Sequence, residues 1–451
     1  MNVANDLSGV ISSGMCIGCG ACEMADGAVK VSLNPKSLIY EPESAGGADA
    51  ASVCPAVHVD YAGLQSWLFP GEDIGPYGAV RSVHLAQSTD NDRNVKASSG
   101  GLIKEVLRNL LATNQIDGVI ALDHVAGVDF AARLVTDPDD VDSLPGSIYH
   151  NLKQTRALEL LRDTPGRLAL VGIPCQLEGM WQWVRSFEPA LREKVALTVG
   201  LLCGWQYSHH SIAAMGEYLG YDPAEIADIS YRGGGPVGKL TVTTQSGAVH
   251  TASRRVDFGY QVAFDRHFNT SRCHVCVNHS NFLADVVVGD AWLPSTVFTK
   301  TGVSLVICRT SFAEKVLTDL VQGGSCVSIE VGAEEIRESQ TDRVVFGEFA
   351  YAYADHLREL GGHVPELRGP NAGHGTLKPR RQVAKFHREL VRKQSLMAQR
   401  RYRYMKWRKA TLELRSYVMR YVRWFAVRIL RVKSISGQRK EIPRERFDGF
   451  R

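Results

Sequence analysis

Met15-Cys16-Ile17-Gly18-Cys19-Gly20-Ala21-Cys22 is the stretch on which the reading of this chain turns. Three cysteines in a CxxCxxC run, with small residues between them, fold a tight loop around an iron–sulfur cube. Cys54-Pro55 supplies a fourth thiolate, and its proline turns the chain away. In two-cluster ferredoxins the Cys-Pro pair lies close by and serves the other cluster. Here it lies far downstream, as in a single-cluster module. A structural zinc site is the alternative, since four thiolates also suit zinc. Zinc sites usually come as two CxxC pairs, which fits this run poorly. A disulfide framework fits less well still, because the chain is long, no signal-peptide pattern precedes the run, and cysteines this close favour metal in a reducing compartment.

A second set is spread more widely. Arg167 to Cys175 and Lys194 to Gly204 each read as a short, branched, buried strand bounded by Gly or Pro. Cys175 and Cys203 therefore fall at carboxyl ends of strands, the edge of an open α/β sheet where ligands bind. Cys273-His274-Val275-Cys276 is a CxxC just ahead of a third such strand, Ala284 to Asp290. These four make a ligand set, and on spacing alone they read equally as buried thiols plus a redox CxxC. Cys308 and Cys326 read as structural.

The chain of 451 residues is long enough for two or three domains. No apolar run is as long as a membrane span, and the expected location is the cytoplasm. Charge is uneven. From Leu377 onward there are 24 Lys+Arg against 5 Asp+Glu, whereas positions 1–376 hold 28 basic and 43 acidic residues. A basic tail thus follows an acidic body, with the boundary in the Gly-, Pro- and His-rich 361–378.

The body alternates strand and helix. Apolar residues at 102, 103, 106, 107, 110 and 111 make one helical face over Leu102–Ala112, and Asp117–Leu122 follows as a buried strand. Ile212–Leu219 and Phe312–Val321 read as helices, and Ile229–Val242 as a strand pair around Arg232-Gly233-Gly234-Gly235-Pro236. The fold class is α/β (α+β) with at least a partly parallel sheet. Ser98-Ser99-Gly100-Gly101 opens the first of these helices. Two hydroxyls and two glycines there suit a phosphate, although an ordinary N-cap explains an isolated SSGG as well. There is no GxGxxG fingerprint and no P-loop. His209-His210 reads as a solvated turn.

These elements come in a familiar order. CxxCxxC with its Cys-Pro is followed by Ser98-Ser99-Gly100-Gly101, Gly172-Ile173-Pro174-Cys175-Gln176 and Leu202-Cys203-Gly204. Cys273-x-x-Cys276 and Val288-Gly289-Asp290-Ala291-Trp292 come next. Over roughly residues 10–330 this order resembles the family of coenzyme F-420 hydrogenase/dehydrogenase beta subunits. Members of that family are iron–sulfur flavoproteins. They include deazaflavin-reducing archaeal subunits and ferredoxin-dependent reductases of chlorophyll metabolism, and some bacterial relatives appear in surface-polysaccharide gene neighbourhoods. The resemblance implies two 4Fe–4S clusters, one on Cys16, Cys19, Cys22 and Cys54 and one on Cys175, Cys203, Cys273 and Cys276. It also implies FAD at Ser98, Ser99, Gly100 and Gly101. The implied domains are a ferredoxin-like 4Fe–4S module (1–75), a flavin and second-cluster α/β domain (76–360) and a basic helical tail (377–451).

Two positions depart from the family pattern. Ile148 stands where many relatives carry Lys, and Asn278 where many carry Asp. A deazaflavin specificity is therefore not carried over. The implied route runs from ferredoxin or another redox partner through both clusters and FAD to an organic acceptor, or in reverse. No proton donor is assigned. Tyr149, Lys239 and Asp290 lie near the family motifs, but each reads equally as a surface or strand-end residue.

The tail's apolar residues at 414, 418, 421, 422, 425 and 429 alternate with arginines, as in a helix lying on an anionic membrane face. A helical arm covering the acidic body is the other reading, and nucleic acid is disfavoured. Three functions stand side by side. The first is an oxidoreductase acting on an organic substrate, with surface-polysaccharide metabolism as a candidate setting. The second is a non-catalytic electron-transfer subunit, and the third is an iron–sulfur sensor or nucleic-acid-binding regulator.

Overall fold

The structure is a computed structural model that describes residues 6–235, 238–253, 268–296, 301–367, 369, 379–402, 414 and 418. Its centre is an eight-stranded sheet. Across the sheet the order is Cys326–Val331, Ser82–Ser88, Ser304–Cys308, Val286–Asp290, Val195–Leu201, Leu168–Gly172, Gly118–Ala126 and Asp129–Val135. The four strands from Val286–Asp290 to Gly118–Ala126 run parallel, and antiparallel strands extend both edges.

The near-continuous apolar runs follow from burial of both faces. Ile120, Leu168, Leu170, Val287, Leu305 and Ile307 join one core, while Val119, Ala169, Val286, Val288, Val306 and Cys308 join the other. Leu102–Ala112 forms as its periodicity requires, with Leu102, Val106, Leu107, Leu110 and Leu111 buried, and Ser311–Gln322 packs beside it. Pro174–Phe187 covers the opposite face, bringing Trp181 and Trp183 into the core. Cys308 and Cys326 are buried in the sheet.

A three-stranded antiparallel sheet stands apart, built from Ile226–Ser230, Lys239–Thr244 and Val249–Ser253. With His210–Leu219 it encloses its own core around Ile229, Leu240 and Val242. Residues near the N-terminus share a core with the late helices: Cys16, Cys22 and Cys54 cluster with Tyr353 of Thr341–Glu359 and with Val383 and Leu390 of Arg380–Ala398. Arg380–Ala398, the first part of the basic tail, thus lies on the body. Val383, Leu390 and Met397 face inward at a spacing of seven, while Arg380, Arg381, Lys385, Arg388 and Arg392 face solvent. The amphipathic stripe expected over 414–429 lies outside the described residues, except for Leu414 and Val418, which are helical and exposed.

The sheet tolerates no extra bulk where its parallel strands end. A Cβ on Gly200 would stand 2.5 Å from Asn281 Nδ2 and 2.6 Å from the Ala284 Cβ. Gly200→Ala is expected to lower stability by about 1–3 kcal/mol through overpacking. Gly27→Ala meets nothing within 4 Å and should change stability by no more than about 0.5 kcal/mol. Denaturant titration of both variants checks this.

Candidate functional site

The first cysteine loop is shaped by two glycines. Gly18 and Gly20 both have positive φ, 72° and 79°, which L side chains rarely adopt. They also sit under close neighbours: a Cβ would approach the Leu152 carbonyl oxygen to 2.3 Å at Gly18 and Thr155 Oγ1 to 2.5 Å at Gly20. The turn curls backbone amides toward sulfur. Gly18 N–H donates to Cys16 Sγ at 3.4 Å, and amides of Ala21, Glu23, and Ala56 with Val57 favour the thiolates of Cys19, Cys22 and Cys54 respectively.

All four thiols are buried. Burial pushes each one up, Cys19 to about 12 and Cys54 to about 11, and mutual repulsion pushes Cys16, Cys19 and Cys22 further. Bare, these groups stay neutral at pH 7. A bound metal's positive charge is what deprotonates such thiols.

The second set comes from three parts of the chain. Cys203 follows Val195–Leu201 as expected. Cys175 does not end a strand: the strand stops at Gly172, and Cys175 is the second residue of the helix Pro174–Phe187. Pro174 has no N–H to lose and opens the helix there. Cys273 lies in the 3-10 turn Ser271–Val275, where its Sγ meets Gln206 N at 3.3 Å and Thr270 Oγ1 at 3.3 Å. Cys276 follows that turn. Burial raises all four. Cys203, Cys273 and Cys276 add repulsion at Cys175, and Cys273 and Cys276 do so at Cys203. Among the described residues, no three His, Cys, Asp or Glu side chains close on one point as the ligands of a single ion do.

The cavity of about 540 Å³ beside this set falls within the size range of cofactor sites. Cys203 is in its wall, with Ser98, Ser99, Gly101, Gln176 and Asp290. Three cations line it. Arg232 grips Asp290 with two bonds of 3.1 Å, reaches Tyr149 Oη at 3.2 Å, and also donates to the Ser98 carbonyl. Burial opposes its charge, and Asp290 and Tyr149 together hold it above the usual arginine value. Arg343 packs against Gly204, and its Nε is buried with no acceptor among the described residues. Lys104 donates to the carbonyls of Asp142 and Leu144 at 2.9 and 2.7 Å. Such a wall suits an anionic ligand.

Two expectations need correcting here, and the open reading of Tyr149, Lys239 and Asp290 divides. Neither serine of Ser98-Ser99-Gly100-Gly101 caps the helix, whose N-cap is Gly101 in a left-handed conformation. Ser99 Oγ is spent on Ser304 Oγ and the carbonyls of Gly289 and Val303, and Gly100 N–H donates to Ser304 Oγ at 2.9 Å. That amide is therefore already used inside the protein. Tyr149 and Asp290 are cavity-wall residues tied to Arg232, while Lys239 opens an exposed strand end. His209 and His210 are buried rather than solvated. His209 Nε2 meets the Asn151 carbonyl at 2.9 Å, and His210 bonds Tyr402 Oη and the Lys36 carbonyl.

Of the two departures, Ile148 lines the cavity with an apolar side chain. Asn278 donates to Glu178 Oε1 at 2.8 Å and accepts from Phe282 N–H at 2.8 Å. An aspartate there could not donate and would face a second carboxylate. Sequence reasoning missed Lys104, Glu178, Arg272 and Arg343. The position of Arg272 directly before Cys273 was the available signal for one of them.

The four parallel strands thus end at a cation-lined cavity with a cysteine in its wall. The chain belongs to the family of coenzyme F420 hydrogenase/dehydrogenase beta subunits, whose N-terminal description matches residues 83–159 and whose C-terminal description matches 166–332. It is similar to a subunit of the F(420)H(2) dehydrogenase of Methanosarcina mazei, 26% identical over 322 residues that cover 68% of this chain and 82% of that protein. It is also similar to the beta subunit of the coenzyme F420 hydrogenase of Methanococcus voltae, 24% identical over 55% of this chain and 84% of that one. Similarity to coenzyme F420-dependent sulfite reductase of Methanocaldococcus jannaschii is 22% identity over 72% of this chain and 49% of that protein. Among solved structures, a chain of the F420-reducing [NiFe] hydrogenase complex from Methanosarcina barkeri shares the fold. Its TM-score is 0.50 at 22% identity, over 66% of this chain and 99% of that one. Redox electron transfer is what the named relatives have in common.

Two buried histidines make the fold acid-sensitive. His150 bonds Tyr231 Oη at 2.6 Å and the Val128 carbonyl at 2.8 Å. Burial lowers it to about 3, and His210 to about 4. Both are neutral when folded but titrate near 6.5 when unfolded. The stability they carry is present above pH about 6.5 and lost as pH falls, by about 1.4 kcal/mol per unit for each. The melting temperature should fall steeply between pH 6.5 and 4.5, and less steeply in a His150→Gln/His210→Gln variant.

Proposed function

We propose that this chain is an iron–sulfur flavoprotein oxidoreductase that passes electrons between a ferredoxin-type partner and an organic substrate. In this reading Cys16, Cys19, Cys22 and Cys54 hold one 4Fe–4S cluster, Cys175, Cys203, Cys273 and Cys276 hold a second, and FAD lies in the cavity. The observation that carries it is the place of Cys203, which belongs to the second cysteine set and to the cavity wall at once. The donor chemistry supports it, with two all-thiol sets and amides aimed at sulfur. When bound, clusters exchange single electrons and a flavin exchanges two, so one-electron delivery becomes two-electron chemistry.

The chain's own residues bind and orient. Arg232, Arg343 and Lys104 offer positive charge to an anionic cofactor tail, and the Ser98 and Ser147 hydroxyls, 2.9 Å apart, flank them. Ser99 and Gly100 act behind this wall, fixing the turn through Ser304. Tyr149 and Asp290 position Arg232. In domain terms, residues 1–75 are the first-cluster module, 76–360 the flavin and second-cluster unit, and 377–451 a basic arm.

Coenzyme F420, named in the relatives, is the first organic acceptor to test. A surface-polysaccharide precursor is the second substrate class to test, and the basic arm supports contact with an anionic membrane face. No helix among the described residues is long and apolar enough to cross a membrane. A non-catalytic electron-transfer subunit would hold the same groups but turn over only with its partner.

Anaerobic purification should yield about eight irons and one FAD per chain, falling to about four irons in Cys203→Ser. Zinc without flavin would overturn the oxidoreductase reading. The full chain should sediment with anionic vesicles at low salt and release at high salt. Binding of nucleic acid instead would favour the sensor reading.

A further inference from the structure

One ion pair, fully buried, joins the surroundings of the two cysteine sets. Glu178 stands one turn after Cys175 and is 0% exposed, and Arg272 directly precedes Cys273 and is 1% exposed. Arg272 Nη2 donates to Glu178 Oε2 at 3.2 Å, and its Nε donates at 3.2 Å to the carbonyl of Pro55, the residue after Cys54. Glu178 Oε1 accepts from Tyr61 Oη at 2.7 Å and from Asn278, two residues after Cys276. The next residue, Gly179, lets the helix touch the other set: a Cβ there would lie 2.7 Å from Cys19 Sγ. Arg272 Nη1 is buried with no hydrogen-bond partner among the described residues. An inorganic sulfide is an acceptor of the kind it lacks.

Stability does not explain this pair. Apolar residues of the same volume often replace a buried ion pair without loss. Its placement does have an electrostatic meaning. Arg272 is next to Cys273 in the chain and bonds the residue after Cys54, while Glu178 stands one turn after Cys175 on the helix whose Gly179 lies against Cys19. In a low-dielectric interior each charge reaches both sets.

We propose that Arg272 and Glu178 form a shared electrostatic bridge that sets the reduction potentials of both cysteine-held centres together. Reduction adds one electron, and one negative charge, to a centre. Arg272 favours that charge and Glu178 opposes it. The proposal rests on the reading that both sets hold 4Fe–4S clusters. Both residues act through the centres as positioning residues.

The test is an anaerobic redox titration of the full iron-loaded chain with dithionite and mediators, followed by electron paramagnetic resonance. In Arg272→Gln the reduced-to-oxidised ratio of both centres at a fixed poise should fall about tenfold or more, about 59 mV for a one-electron step. In Glu178→Gln it should rise for both. The double variant should return toward the parent, and Arg272→Lys, which keeps the charge, should stay near it. Potentials that do not move, or that move at one centre only, overturn the proposal. If Arg272→Gln does not load iron, the Glu178→Gln and Arg272→Lys titrations decide. Failure of the parent chain to hold about eight irons would instead sink the two-cluster reading.

Discussion

The place where the parallel strands stop governs the rest of the molecule. Leu168–Gly172 and Val195–Leu201 lie in register with Gly172 opposite Gly200, and Val286–Asp290 continues the pairing on the far side. Asn281, itself at φ 53°, donates its side-chain amide to the Gly172 carbonyl at 3.0 Å and so fastens the strand ends to the loop that follows Cys276. Cys203 N–H donates to the His279 carbonyl at 3.2 Å within the same knot. Parallel strands place their carboxyl ends on one edge, and there the open sheet leaves a crevice. The cavity, Cys175 and Cys203 all follow from that edge.

Two buried charge systems then divide the labour. Arg232 with Asp290 and Tyr149 closes the cavity from the small three-stranded sheet. Arg272 with Glu178, Tyr61 and Asn278 lies outside the cavity wall and links the surroundings of the two cysteine sets. Each guanidinium is held by a carboxylate from a distant part of the chain. The fold therefore has to be complete before either system exists.

That distance explains what the sequence could and could not reveal. The helix Leu102–Ala112 and the strands before Cys175 and Cys203 were legible because periodicity and bounding Gly or Pro are local. The loop around Cys16, Cys19 and Cys22 was legible because its ligands and its left-handed glycines are neighbours. Ser98-Ser99-Gly100-Gly101 misled because its bonding is spent on Ser304, 204 residues from Gly100. His209-His210 looked like a turn because their partners are Asn151, Lys36 and Tyr402. Glu178 and Tyr61 are 117 residues apart, and no spacing rule connects them.

The helix Arg380–Ala398 has a bearing on biogenesis. Its Val383 and Leu390 share a core with Cys16, Cys22 and Cys54, so that loop is covered by an element translated long after it. During synthesis those thiols stand open until some 330 further residues have emerged and the arm can dock. The core around the loop is therefore complete only once the arm has docked.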